Sequence, residues 1–206
     1  MDWRYEMKYV LRQNEWQKLQ QVLLEHPTSF QTAFPDRIVN NIYLDTNDLE
    51  TCNDNLAGIS ERKKFRIRWY GEEENFDEAV LEIKIKNNAL GRKEFVKIDW
   101  NGEKLSNQIH KNHGGLVPVL QNQYLRSYYL NWEENFRLTV DRRIKYKPTN
   151  RYFSADYSDA FNDEHIIVEL KFKAEDFELH KEITHYLPFR PTKHSKYVTG
   201  IFYCYS

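Results

Sequence analysis

The stretch "ERKKFRIRWY", residues 61–70, decides how the rest of the chain is read. Arg62, Lys64, Arg66 and Arg68 fall at every second position, with Lys63, Phe65, Ile67 and Trp69 between them. A period of two is the signature of a β-strand, because successive side chains leave the backbone on opposite faces. One face of this strand therefore carries four cations and no anion. A strand with one solvated face predicts mixed signs there, since like charges on neighbouring strands repel.

The same alternation recurs outward from this strand. Further strands are expected at about 3–11, 38–45, 79–87, 92–100, 122–130, 136–146 and 165–173, making eight with 62–70. Their polar faces share the bias. Arg4, Glu6 and Lys8 fall together in the first. Glu82, Lys84 and Lys86 oppose Leu81, Ile83 and Ile85 in another. Arg137, Thr139, Asp141, Arg143 and Lys145 share one face of 136–146, and Glu169, Lys171 and Lys173 oppose Val168, Leu170 and Phe172. Helices are expected at 14–26, with Asn14 as N-cap and Pro27 just beyond, and at 103–113 and 175–187. The 206 residues contain no repeat and no Pro/Ser-rich boundary, so a single domain over 1–206 is expected.

Composition restricts the function. The chain has 30 basic and 31 acidic residues, a net charge of −1, which argues against a generally basic nucleic-acid binder. A cationic site must arise by segregating charge. Cys52 and Cys204 have no metal-ligand spacing and read as reduced thiols. "MDWRYEMKYVL" is not a signal peptide, and no apolar run approaches the roughly 20 residues that span a bilayer, so a cytoplasmic protein is expected. The seven histidines form no H-x-x-x-H or H-x-H set and read as structural or surface residues.

Strands with one apolar and one cationic face can close into a barrel whose charged faces point inward and whose apolar faces are covered by helices outside. The expected fold class is therefore α+β, a closed antiparallel eight-stranded β-barrel. Buried charge is costly unless paired, so a lining of Lys and Arg calls for a polyanion. The inward carboxylates Glu6, Glu82 and Glu169 are suited to pairing with lysines or to holding a divalent cation alongside phosphate.

Six segments, in order, resemble the polyphosphate polymerase (vacuolar transporter chaperone, VTC) domain family of the triphosphate tunnel, or CYTH-like, superfamily. They are "RYEMKY", "GISERKKFRIRWYG", "LEIKIK", "YLRSYY" followed by "FRLTVDRRIKY", "IIVELKFK" and "HSKYVTG". The resemblance covers nearly the whole chain. It implies an eight-stranded tunnel that transfers the terminal phosphate of ATP to a growing polyphosphate chain with Mn²⁺ or Mg²⁺. It maps phosphate binding to Lys8, Arg62, Lys64, Arg66, Arg68, Lys84, Arg126, Arg137, Lys171, Ser195 and Lys196, with Lys93 as a further candidate. Among these, Lys8, Arg66, Arg68 and Lys171 are expected to act on the transferred phosphate. Glu169 maps to the metal-binding carboxylate, with Glu6 assisting. Hydrolytic tunnel enzymes open with E-x-E-x-K, and Arg4 stands at the first Glu, which favours the polymerase branch. The alternatives are a triphosphatase in the same tunnel and a non-catalytic polyphosphate-binding module. ATP and polyphosphate are the expected partners, with no nucleic acid. A membrane protein is a further partner by family analogy, which would place the chain peripherally at a membrane.

Overall fold

The alternation at 61–70 does build a strand whose neighbours curve into a ring. A computed structural model describes residues 3–71, 78–97, 115–149 and 157–205. Its strands are β1 (Arg4–Arg12), β2 (Gln31–Asp45), β3 (Glu61–Tyr70), β4 (Val80–Asn87), β5 (Leu90–Lys97), β6 (Val117–Leu130), β7 (Phe136–Pro148), β8 (Phe161–Asp163) and β9 (His165–Lys173). All pairings are antiparallel, in the order β6-β2-β3-β4-β5-β1-β9-β7, and β6 returns to pair with β7. The eight expected strands thus form a closed ring, and the short β8 is added to β7 at Ile144–Tyr146.

The ring is irregular. β1 pairs with β9 along its whole length, from Arg4↔Lys173 to Arg12↔His165, but with β5 only at Arg4↔Gly91 and Tyr5↔Leu90. In β7 the register against β6 slips between Gln123 and Leu125, opposite Arg143, whose φ of 52° lies in the left-handed region. A bulge of this kind interrupts the alternation of a strand. Arg143 and Lys145, expected on the same face as Asp141, lie at and beyond this bulge, and none of the three lines the interior cavity described below.

Among the described residues, helices cover two of the three apolar clusters. Tyr9, Leu11, Leu138, Val140, Val168 and Leu170 form one cluster with Leu19 and Leu23 of α1 (Trp16–Glu25) and Ile183 of α3 (His180–His185). A second, on β2, β3 and β4, contains Ile42, Leu44, Ile67, Trp69, Leu81 and Ile83. A third joins Tyr43, Leu120, Tyr124 and Tyr146 to Cys52 of α2 (Glu50–Leu56) and to Tyr197 and Ile201 of α4 (Lys196–Tyr205). The helix expected at 14–26 starts later than Asn14, which sits in a 3-10 turn over Gln13–Glu15, where the Glu15 carboxylate accepts the Arg12 N–H at 2.8 Å. The one expected at 175–187 is regular α-helix only at its C-terminal half, and the one expected at 103–113 lies outside the described residues.

Helix α4 positions the site and depends on one glycine. A Cβ built on Gly200 would stand 2.5 Å from Leu120 Cδ2 and 2.6 Å from Tyr146 Cδ1, closer than carbon atoms tolerate. Both neighbours are fully buried. Gly200→Ala is therefore expected to destabilise the fold by about 1–3 kcal/mol through overpacking, read as a lowered thermal midpoint. A midpoint equal to that of the unchanged protein would mean that α4 does not need this close approach.

Candidate functional site: a cationic tunnel

Ring closure turns the charged faces toward one cavity of about 730 Å³. Glu6 and Lys8 reach it from β1, Arg62, Lys64 and Arg66 from β3, and Lys84 and Lys86 from β4. Lys93 comes from β5, Arg126 from β6, and Glu169 and Lys171 from β9. Ser195 and Lys196 enter at the N-terminal end of α4. The strands place every second residue there because the pleat does; α4 contributes because Gly200 lets it lie against β6 and β7.

Two carboxylates stand among these cations on the lining. Glu6 is bound by Lys84, with Nζ at 2.9 Å from both oxygens, and by Lys8 at 3.2 Å. Glu169 lies 2.6 Å from Lys171, 3.4 Å from Lys8, 3.6 Å from Lys196 and 3.7 Å from Arg126. Burial pushes both acids up, but the surrounding ammonium and guanidinium groups outweigh it and hold both well below the usual carboxylate range. Behind the lining, Asp141 receives the Arg126 fork at 2.5 and 2.7 Å and Lys196 at 2.5 Å. That pairing lets Lys196, only 7% exposed, sit charged in the interior.

The lining was largely foreseen, and the placement of two residues differs. Arg68 is 3% exposed and does not line the cavity. Its guanidinium donates to Asn41 Oδ1 and to Tyr124 Oη, each at 2.8 Å, and stands 3.5 Å from Glu82. Glu82 also binds Arg66 and, at 3.0 Å, Lys93. Burial raises Glu82, but Arg66, Lys93 and Arg68 together hold it well below its ordinary range. Arg68 therefore supports a buried carboxylate that orients Arg66. Arg137 is exposed and does not line the cavity. Lining residues given no role beforehand include Lys86, Lys193, Asn55 and Tyr43. Lys86 carries the same alternation as Lys84, so its signal was present; Lys193 lies in a loop, where periodicity gives none.

Lys64 has a different environment. Its Nζ donates to Ser195 Oγ at 2.7 Å and to Asn55 Oδ1 at 3.0 Å, both neutral. Burial, then the charges of Lys8, Lys84 and Arg62, push it down to about 6. An anion beside it reverses that effect, so at pH 7–8 binding must be accompanied by proton uptake, and affinity must rise as pH falls toward 6. Calorimetric titration of tripolyphosphate in buffers of different ionisation enthalpy is expected to show this uptake. Lys64→Met should lower it by up to one proton. Equal uptake in both proteins would show that Lys64 is already charged.

Glu6 and Glu169 have the donor chemistry for a hard divalent cation. Both are ionised, both are oxygen ligands on neighbouring strands, and the Lys8 ammonium stands between them as a cation would. Among the described residues no group of three or more His, Cys, Asp or Glu is assembled, so such an ion would need oxygens from a phosphate to complete its shell.

The described strands thus form an antiparallel ring whose interior is lined by cations and two carboxylates. The chain belongs to the VTC domain family, whose sequence profile matches residues 3–205. A comparison with curated proteins gives no match. Among solved structures it resembles a Hippeastrum protein described as a candidate adenylyl cyclase with a dominant triphosphatase activity, at TM-score 0.54 and 13% identity, covering 100% of this chain and 98% of that one. A Bacillus halodurans candidate adenylate cyclase gives 0.54 and 13%, covering all of both chains. A chain of the Schizosaccharomyces pombe Mediator head module also gives 0.54, at 9% identity and 89% and 90% coverage. Fold likeness at this level carries no activity by itself. No helix among the described residues is long and apolar enough to cross a membrane.

Proposed function

We propose that this chain is a polyphosphate polymerase that transfers the terminal phosphate of ATP to a growing polyphosphate chain inside the tunnel, with Mn²⁺ or Mg²⁺. The observation that carries this reading is the lining itself: cations from six strands and a helix surround two ionised carboxylates, in a VTC domain. A polyanion takes the place of the missing counter-charge. In the transfer, a terminal oxygen of the polyphosphate attacks the γ-phosphorus, the bond to ADP breaks, and ADP leaves with the electron pair. The attacking oxygen is already anionic, so no general base is required. His194, the histidine on the lining, would be a poor one. Burial, then Lys196 and Lys8, push it down to about 3.

Phosphoryl transfer of this kind asks the protein for positioning and charge. Arg66, held by Glu82, presents a fixed guanidinium fork to the transferred group, and Arg126, held by Asp141, does the same from β6. Lys8 and Lys171 exchange Glu169 for phosphate oxygens, and Lys64 with Ser195 binds an adjacent phosphate. Glu6 and Glu169 would hold the divalent cation, which supplies neutralisation of phosphate oxygens when bound. Arg4 at the opening of β1, where hydrolytic tunnel enzymes carry Glu, supports transfer to phosphate over transfer to water.

The test is product analysis. The purified chain is incubated with ATP, Mn²⁺ and a pyrophosphate primer, and the products are resolved on a polyphosphate gel. A ladder with matching ADP is the expected result. ADP and free phosphate without a ladder would replace the reading with a triphosphatase. Binding of added polyphosphate without consumption of ATP would replace it with a binding module.

A further inference from the structure

The cavity mouth carries a feature that phosphate does not need. Leu56, at the end of α2, and Phe202, on α4, both line the cavity, yet are 55% and 54% exposed. Large apolar side chains at the edge of a cationic cavity are out of place for a ligand made only of phosphate. Their placement is also fixed. Asp45 is fully buried and accepts from the Thr51 hydroxyl at 2.8 Å, the Thr51 N–H at 2.9 Å and the Cys52 N–H at 3.0 Å, all in α2. The Tyr197 hydroxyl of α4 donates to the same carboxylate, and Tyr197 stacks on Tyr43 at 4.9 Å. One buried carboxylate thus ties the two helices together.

Helix geometry then sets a distance. Lys196 and Phe202 both line the cavity, six residues apart on α4, which is about 9 Å along the axis and about 120° around it. That is comparable to an extended triphosphate. Building on the proposed polymerase reading, the geometry points to Phe202 and Leu56 as the subsite for the base of the nucleoside triphosphate, whose phosphates lie toward Lys64, Ser195 and Lys196. The ligand class that fits both halves is a flat aromatic group joined to a short anionic chain. Phe202 supplies a face for stacking, and Leu56 an apolar contact. An apolar pair of this kind selects for a base over none, and weakly among bases, because every base has a π-face.

The experiment compares ATP with inorganic tripolyphosphate on the full chain by calorimetry. Phe202 and Leu56 are exposed, so their loss leaves the fold intact, and thermal melts verify this. Phe202→Ala is expected to weaken ATP by about tenfold and to leave tripolyphosphate unchanged, with Phe202→Trp restoring ATP affinity. Unchanged ATP affinity in Phe202→Ala, or equal weakening of both ligands, would overturn the subsite while the phosphate tunnel stands. Failure of the unsubstituted chain to bind either ligand would overturn the tunnel reading and the subsite with it.

Discussion

Replacing Glu82 with alanine is expected to cost about 3–5 kcal/mol of stability, because it strands Arg68 and Arg66 without their shared anion. Glu82 is 1% exposed and Arg68 3%, so water does not readily replace the lost partner. For a domain whose total stability is roughly 5–15 kcal/mol, this is a large fraction, and urea denaturation would show a much lower midpoint. The loss should be smaller when Arg68 is also made Met, since no guanidinium is then left behind. Equal stability of Glu82→Ala and the unchanged chain would show that Arg66, Arg68 and Lys93 are satisfied without it, and that Arg68 is not the support assigned to it.

Glu169→Gln is expected to separate binding from turnover. Lys8, Arg126, Lys171 and Lys196 all lie within 4 Å of this carboxylate. Without its charge they face the cavity with less internal compensation, so tripolyphosphate should bind more tightly when no divalent metal is added. Turnover of ATP should fall by about 10²–10³-fold, the scale for losing one preorganised electrostatic group at a reacting centre. Tighter binding with lost turnover is the combination that a role in chemistry requires. Weaker metal-free binding would mean that Glu169 organises the cations for the ligand, and unchanged turnover would remove it from the reaction.

Much of this architecture was legible in the chain because β-strands print their two faces directly. Residues 61–70 show why: every second side chain is a cation, and Ile67 and Trp69 between them are buried in the outer core. The bulge at Arg143 was not legible, since its cause lies in pairing with β6. Two helices were missed for different reasons. "ETCNDNL" of α2 has poor helix formers, and its place is fixed by hydrogen bonds from Thr51 and Cys52 to Asp45, which lies before the helix at the end of β2. "KYVTGIFYCY" of α4 is rich in β-branched and aromatic residues and has Gly200 at its centre, so local preference favours a strand. Packing against Leu120 and Tyr146 overrides that preference. The three-residue β8 is too short to carry a period.

In the site, residue type and face were readable, and pairing was not. Arg66 and Arg68 look equivalent in sequence, two steps apart on one face. Only the partners separate them: Arg68 is buried against Asn41 and Tyr124, while Arg66 keeps its place on the lining. Lys64 and Lys84 look equivalent too, directly opposed in register, yet Lys84 has Glu6 and Lys64 has only neutral acceptors.

The pairing of β1 with β9 also bears on how the chain reaches this state. Arg4 must find Lys173, and Arg12 must find His165, before either strand has its longest partner. Such sequence-distant contacts place the domain among slow folders, since the entropy of closing a long loop is lost before the contacts that offset it form. Until that register is made, β1 and β9 present open hydrogen-bonding edges, and during this interval the chain is most prone to pair with another copy of itself.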